Sequence, residues 1–132
     1  MTNPPRIRMA RPRVRTAGTR IAPLARAGAR DRGYDSSWDR TVLLFTSTHP
    51  FCLGCQAVGV KTATECIDHV EPHLGDRTRF WNKAMWQPAC RWHHDSVKKR
   101  LEALYMRGEI GVADLWLNSA RAVSMTREAG RG

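Results

Sequence analysis

Long apolar runs are missing from this 132-residue chain. None exceeds four residues, as in Val42–Phe45, whereas a membrane-spanning helix needs about 20. No apolar stretch near the N-terminus resembles the core of a secretory signal, so a cytoplasmic protein without membrane contact is expected. Acidic residues are scarce at that end too. Residues 1–33 hold nine arginines and one acid, Asp31, a charge of +8; the other 99 residues contribute only +2 to the total of +10. Aliphatic side chains in this stretch are scattered among Pro4, Pro5, Pro12, Pro23, Gly18, Gly28 and Gly33. Such a segment buries too little surface to offset its ordering entropy, so residues 1–33 are expected to form a disordered, basic arm. Its prolines exclude the amphipathic helix of a mitochondrial transit peptide. The arm either tracks nucleic-acid phosphates, with Arg11, Arg13 and Arg15 near its middle, or only aids solubility. Composition and length also exclude collagen, coiled-coil and large α/β-barrel architectures.

What remains, residues 34–132, reads as one small folded unit. A helix is predicted over Ser36–Thr48: Ser36 or Ser37 serves as N-cap, Trp38, Val42 and Phe45 recur at helical spacing, and His49-Pro50 stops it. Thr62–Val70 is rich in β-branched residues and predicts a strand, with Met85–Gln87 returning as a second. From His93 to Met106 the stripe Val97, Leu101, Leu104 and Tyr105 predicts a helix ended by Gly108. A last helical stretch over Val112–Met125 is apolar at Leu115, Leu117, Ala120 and Val123, with a break near Asn118. Helix, hairpin, helix and short helices make an α+β layout.

Four cysteines without a secretory signal argue against a disulfide framework. Their spacing argues for a metal. Cys52-x2-Cys55 and Cys90-x2-His93 are two bidentate pairs, 34 residues apart, with the composition of a tetrahedral Cys3His zinc site. A core of fewer than 100 residues gains from such an ion. Cys66, in the predicted strand, reads as a small buried hydrophobe.

The spacing selects His93 for the zinc and leaves His94 free at the start of a helix. Asp68-His69 ends the first strand. Each of these residues alone is explained by a turn cap or an ordinary histidine. Together, one carboxylate and two imidazoles on a basic domain are the parts of metal-assisted phosphodiester cleavage.

The run Cys52–Cys55, Asp68-His69-Val70-Glu71-Pro72-His73-Leu74-Gly75-Asp76, Phe80-Trp81-Asn82, Trp86–Asp95 and Lys98 resembles the HNH endonucleases, and within them the zinc-bearing branch of phage and prophage proteins associated with terminase. The resemblance implies a ββα-metal, treble-clef-like fold over residues 34–132, with a C-terminal helical extension. It implies a metal-dependent DNA endonuclease in a bacterial host cell, with His69 as general base and Asp68 and His94 as ligands of one catalytic divalent ion. That ion is expected to be Mg²⁺ or Mn²⁺, with Ni²⁺ or Co²⁺ tolerated by imidazole, while Cys52, Cys55, Cys90 and His93 hold structural Zn²⁺. Lys98 approaches phosphate on this reading, and Lys99, Arg100 and Arg91 join it in binding DNA. His73 is a further pocket candidate. One position departs from the family pattern: Met85 stands where an Asn usually orders the loop between the strands, and Asn82 is the candidate substitute. Two other functions are compatible with these residues: a catalytically inactive zinc module that binds DNA, and an interaction protein docking on a terminase or portal.

Overall fold

Asp35 opens the first helix, one residue ahead of the expected cap. Its carboxylate accepts the Trp38 N–H at 3.0 Å, and helix α1 then runs Ser36–Thr48 to the predicted stop at His49. The computed structural model describes residues 34–131; the Arg-rich arm of residues 1–33, with Arg11, Arg13 and Arg15, lies outside them. After Pro50 come a one-turn helix α2 (Leu53–Gln56), strand β1 (Cys66–His69), a one-turn helix α3 (Arg77–Phe80), a 3-10 turn (Lys83–Met85) and strand β2 (Trp86–Ala89). A π-turn (His93–Val97) leads into helix α4 (Lys98–Met106), and a 3-10 turn (Val112–Leu115) precedes helix α5 (Ala120–Glu128).

The predicted first strand is divided between two partners. Its early part pairs with the segment before α2: the Cys52 N–H bonds the Thr62 carbonyl at 2.8 Å, the Thr64 N–H bonds the Pro50 carbonyl at 2.9 Å, and Ala63 bridges Phe51. Only Cys66–His69 enters the hairpin, antiparallel to β2 with Asp68 opposite Gln87 and His69 opposite Trp86. The second strand starts later than predicted because Met85 is held in the 3-10 turn, where its N–H bonds the Asn82 carbonyl. Pro88 is tolerated in β2. The Val70 N–H to Met85 carbonyl bond sets the alternation of the ladder, and this places Pro88 opposite Ile67 at a pair that exchanges no hydrogen bonds.

Helix α4 ends as the sequence predicts. Gly108 adopts φ 76°, its N–H bonds Tyr105, and the Glu109 N–H bonds Leu104, the paired bonds of a Schellman motif. The break near Asn118 is also present, and Ser119 then caps α5 through the Ala122 N–H at 3.1 Å. That cap resets the helical phase. The buried face of α5 is Ala122, Met125 and Thr126, whereas Ala120 is exposed and Val123 half-buried.

The main core lies where Val70 and Ala89 of the hairpin region meet Val97 and Leu101 from the helix and Leu115, Leu117, Ala122 and Met125 from the C-terminal segment. A second, aromatic cluster joins α1 to the hairpin, with Trp38 in ring contact with Phe80, Trp81 and Trp86. The architecture is the expected ββα domain: a two-stranded antiparallel sheet, flanking helices and a Cys/His cluster of the treble-clef-like, ββα-metal kind. No helix among the described residues is long and apolar enough to cross a membrane.

Leu101 is fully buried at the centre of this core. Leu101→Ala should cost about 2–5 kcal/mol in chemical denaturation. Leu43→Ala, on the outer face of α1 at 70% exposure, should stay within about 0.5 kcal/mol.

Candidate metal centre and polar site

The four expected zinc ligands converge. Cys52 and Cys55 flank the start of α2, Cys90 follows β2, and His93 opens the π-turn; all four are buried and their ligand atoms lie within 4.8 Å of one another. His93 Nδ1 stands 3.5 Å from Cys52 Sγ, 3.4 Å from Cys55 Sγ and 3.5 Å from Cys90 Sγ, and Cys55 Sγ is 3.9 Å from Cys90 Sγ. A tetrahedral zinc with bonds of about 2.3 Å to sulfur and about 2.1 Å to nitrogen sets sulfur–nitrogen edges near ~3.6 Å and sulfur–sulfur edges near ~3.8 Å. The cluster therefore fits Zn²⁺.

The tautomer of His93 fits as well. The Thr126 hydroxyl donates to the Ala122 carbonyl at 2.9 Å, so its oxygen accepts the His93 Nε2–H at 3.0 Å. This leaves a lone pair on Nδ1, facing the sulfurs. Burial lowers the His93 pKa to about 4 and keeps the ring neutral, as a ligand must be. Burial pushes the Cys52 thiol up to about 12 and raises that of Cys90, so a bound cation is what makes thiolates stable here. Two residues unremarked in the sequence complete the centre. Thr126 is one, reached only through the packing of α5. The other is Gly54: a Cβ there would lie 2.4 Å from the His93 ring. Cys66 is half-buried and stands apart from the cluster.

A separate polar site lies along the hairpin and the helix that follows it. Asp68 is buried; its Oδ2 accepts a Gln87 Nε2–H at 2.8 Å and pairs ionically with Lys98 Nζ at 3.1 Å. Its Oδ1 faces His94 Nε2 at 3.8 Å. Desolvation raises the Asp68 pKa, with the Lys98 charge and the Gln87 bond acting against it. His94 donates Nδ1–H to Asp95 at 2.9 Å, so in the neutral ring Nε2 presents a lone pair toward Asp68. That contact with His94 holds the Asp95 carboxyl below its ordinary range.

His69 is 9% exposed. Its Nε2–H donates to the Phe80 carbonyl at 3.0 Å, which also accepts the Trp86 indole N–H at 3.0 Å. Its ring stacks on Trp38 and meets His73 edge-on, with centroids 5.3 and 4.8 Å apart. Desolvation, then His73, lowers its pKa to about 4. His73 Nδ1 in turn accepts the Gly75 N–H. The loop that supplies the Phe80 carbonyl is ordered by two local caps. Asp76 accepts the Thr78 and Arg79 N–H groups, and Asn82 accepts the Ala84 N–H at 3.2 Å. Met85 is half-buried against the main core.

The expected basic residues divide. Arg91, Lys99 and Arg100 are exposed. Lys98, expected to approach phosphate, is 1% exposed; its ammonium donates to the His69 carbonyl (2.6 Å) and Glu102 Oε2 (2.7 Å) and forms an ion pair with Asp68 Oδ2 (3.1 Å). The reason is local and tertiary at once: Glu102 lies one turn on in α4, while Asp68 and the His69 carbonyl end β1.

No family model, curated protein or solved structure matches the chain. Its geometry identifies a small domain with a zinc-binding Cys3His cluster, of treble-clef or HNH-like form. Among the described residues that cluster is the one group of three or more metal-ligating side chains; Asp68 and His94 supply two donors.

The purified protein should contain about one zinc per chain by atomic emission. Cys90→Ser and Gly54→Ala should lose the metal and melt early, and Cys66→Ser should keep both zinc and stability. A well-folded wild type without zinc overturns the assignment. A second expectation concerns acid. His69 stays neutral in the fold down to about pH 4 but takes up a proton near 6.5 when unfolded. Between those values the unfolded chain binds more protons, so stability is complete above pH 6.5 and falls as the pH drops toward 4. Over that window the wild type should lose on the order of 3 kcal/mol more than His69→Phe in denaturant titrations.

Proposed function

We propose that this zinc-binding ββα module is a DNA endonuclease of the HNH kind, with Asp68, His69 and His94 at its reacting centre. The observation that carries this reading is the facing pair of Asp68 Oδ1 and His94 Nε2, 3.8 Å apart, with His69 the next residue of the strand after Asp68. Two opposed lone pairs suit a shared cation, and Asp68 and His94 would be the residues that hold one divalent ion. When bound, such an ion neutralises charge on the scissile phosphate.

The remaining chemistry belongs to the chain. His69 is neutral at physiological pH, and its Nε2–H is fixed on the Phe80 carbonyl. Nδ1, which accepts no hydrogen bond from the described residues, is then the nitrogen that takes a proton from water as the water oxygen bonds to phosphorus. The bond from phosphorus to the 3′-oxygen breaks, that oxygen leaving and taking up a proton from solvent. A low pKa makes His69 a weak base, so its contribution lies in orientation: stacking on Trp38 and the clamp of Phe80 hold the ring in one pose. Exposed Arg91, Lys99 and Arg100 supply contacts to flanking phosphates, joined by the arginines of the N-terminal arm.

A second reading asks less of the molecule: a zinc module that binds DNA without cutting it, or docks on a terminase or portal. Two observations favour it. The Cys/His cluster is a complete ligand set whereas Asp68 and His94 are two donors only, and Met85 replaces the usual loop-ordering Asn.

A plasmid-nicking assay in Mg²⁺ or Mn²⁺ decides between them. On the nuclease reading the wild type nicks, and His69→Ala loses about 10²-fold or more without rescue by excess metal. Asp68→Ala and His94→Ala lose cleavage too but recover part of it at high metal, and Met85→Asn raises the rate if loop order is limiting. Removing residues 1–30 weakens DNA binding and flattens its salt dependence. A wild type that binds DNA and never cuts it establishes the second reading; one that does neither but retains a protein partner is an interaction protein.

A further inference from the structure

Gln87 is fully buried and uses every polar hydrogen and acceptor that its amide presents to the protein. Nε2 donates to Asp68 Oδ2 at 2.8 Å and to the Leu115 carbonyl at 3.2 Å, and Oε1 accepts the Leu117 N–H at 2.7 Å. One side chain on β2 thus joins the C-terminal segment to the carboxylate directly across the hairpin. On Asp68, Oδ2 receives the Gln87 N–H and pairs with the Lys98 ammonium, while Oδ1 meets neither and faces His94.

We propose that Gln87 is a positioning residue for the Asp68–His94 site, anchored by the Leu115–Leu117 backbone, and that it makes Asp68 a one-oxygen ligand of a divalent cation. The inference rests on the cation-binding reading proposed above and adds the device that fixes the ligand. A carboxylate on β1 is otherwise free to turn about its terminal torsion, which is broad and two-fold. Turning would exchange the oxygen offered to the ion. With Oδ2 hydrogen-bonded to Gln87 and ion-paired with Lys98, the rotation is opposed and Oδ1 stays aimed at His94. Lys98 holds the same oxygen by charge, but that charge also repels a cation, so its removal has opposing effects on metal affinity. Gln87 is neutral, and changing it isolates orientation from charge. The anchor also gives the C-terminal extension a role in the site. Leu115 and Leu117 are core residues whose backbone, through this amide, sets the direction of a carboxylate 47 and 49 positions earlier in the chain.

The test uses the full zinc-loaded chain and Mn²⁺ alone as probe, with affinity from titration calorimetry and zinc content and melting as folding controls. Gln87→Met removes all three bonds at similar length, and Gln87→Asn is an amide too short to span Asp68 and Leu117. In either variant that keeps its zinc, Mn²⁺ affinity should fall about ten- to hundredfold, with the exposed Lys61→Ala unchanged. Where the wild type nicks DNA, the metal concentration for half-maximal rate should rise while the rate at saturating Mn²⁺ recovers, a split that general structural damage does not produce. Wild-type affinity in a folded Gln87 variant overturns this inference alone. Mn²⁺ binding that is absent in the wild type, or unchanged in Asp68→Asn, removes the cation-binding reading and this inference with it. Loss of zinc in both Gln87 variants makes the residue purely structural and also overturns the inference.

Discussion

Convergence of three sulfurs on one imidazole nitrogen holds the rest of the domain in place. Cys52 and Cys55 bring the α2 turn, Cys90 the end of β2, and His93 the start of the long helix, so three segments distant in sequence share one point. The fourth is α5, whose Thr126 fixes the ring that completes the set. With a main core of eight buried side chains, most of them aliphatic, a domain of this size has little hydrophobic stabilisation to spare, and an ion that ties these segments is the standard physical remedy. Gly54 shows how closely the parts are fitted, since the ring occupies the space that any Cβ would need.

One helical start serves both sites. His93 turns to the cysteines and His94 toward Asp68, within a π-turn in which the Lys98 N–H reaches back to the His93 carbonyl. The inserted residue breaks the ordinary helical register just where two adjacent imidazoles must serve different partners, a common setting for such turns. The same register brings Lys98 under the hairpin, where it ties the His69 carbonyl to the Asp68 carboxylate. Zinc centre and polar site are therefore mechanically continuous: whatever sets His93 also sets His94 and Lys98.

Burial distinguishes the two histidines of the polar site. His69 is enclosed by Trp38, Phe80 and His73, and this environment keeps it neutral and oriented. His94 has a side chain that is 34% exposed and stands at the opening toward Asp68. A neutral ring held rigid inside and a second, part-exposed ring at the rim is a difference created by packing, because the two residue types are identical.

Short-range features were legible in the amino-acid order alone. Two ligand pairs at x2 spacing, the stop at His49-Pro50, the stripe Val97–Leu101–Leu104, Gly108 and the break near Asn118 each depend on neighbours within a turn or two, and local backbone geometry realises them directly. The tertiary structure decided what depends on distant partners. It split the first strand between two ladders, since Pro50 and Cys52 compete with β2 for its hydrogen bonds. It rotated α5 so that Ala122, Met125 and Thr126 face inward, because Ser119 restarts the helix and His93 needs a hydroxyl. It drew Lys98 inward, because Asp68, Glu102 and the His69 carbonyl offered three acceptors to a buried ammonium. Gln87 gained its partners in the same way, across 28 and 30 residues of chain. No periodicity in the sequence encodes such contacts; they arise because burial obliges every polar group to find a partner, and only the packed chain determines which partner is near.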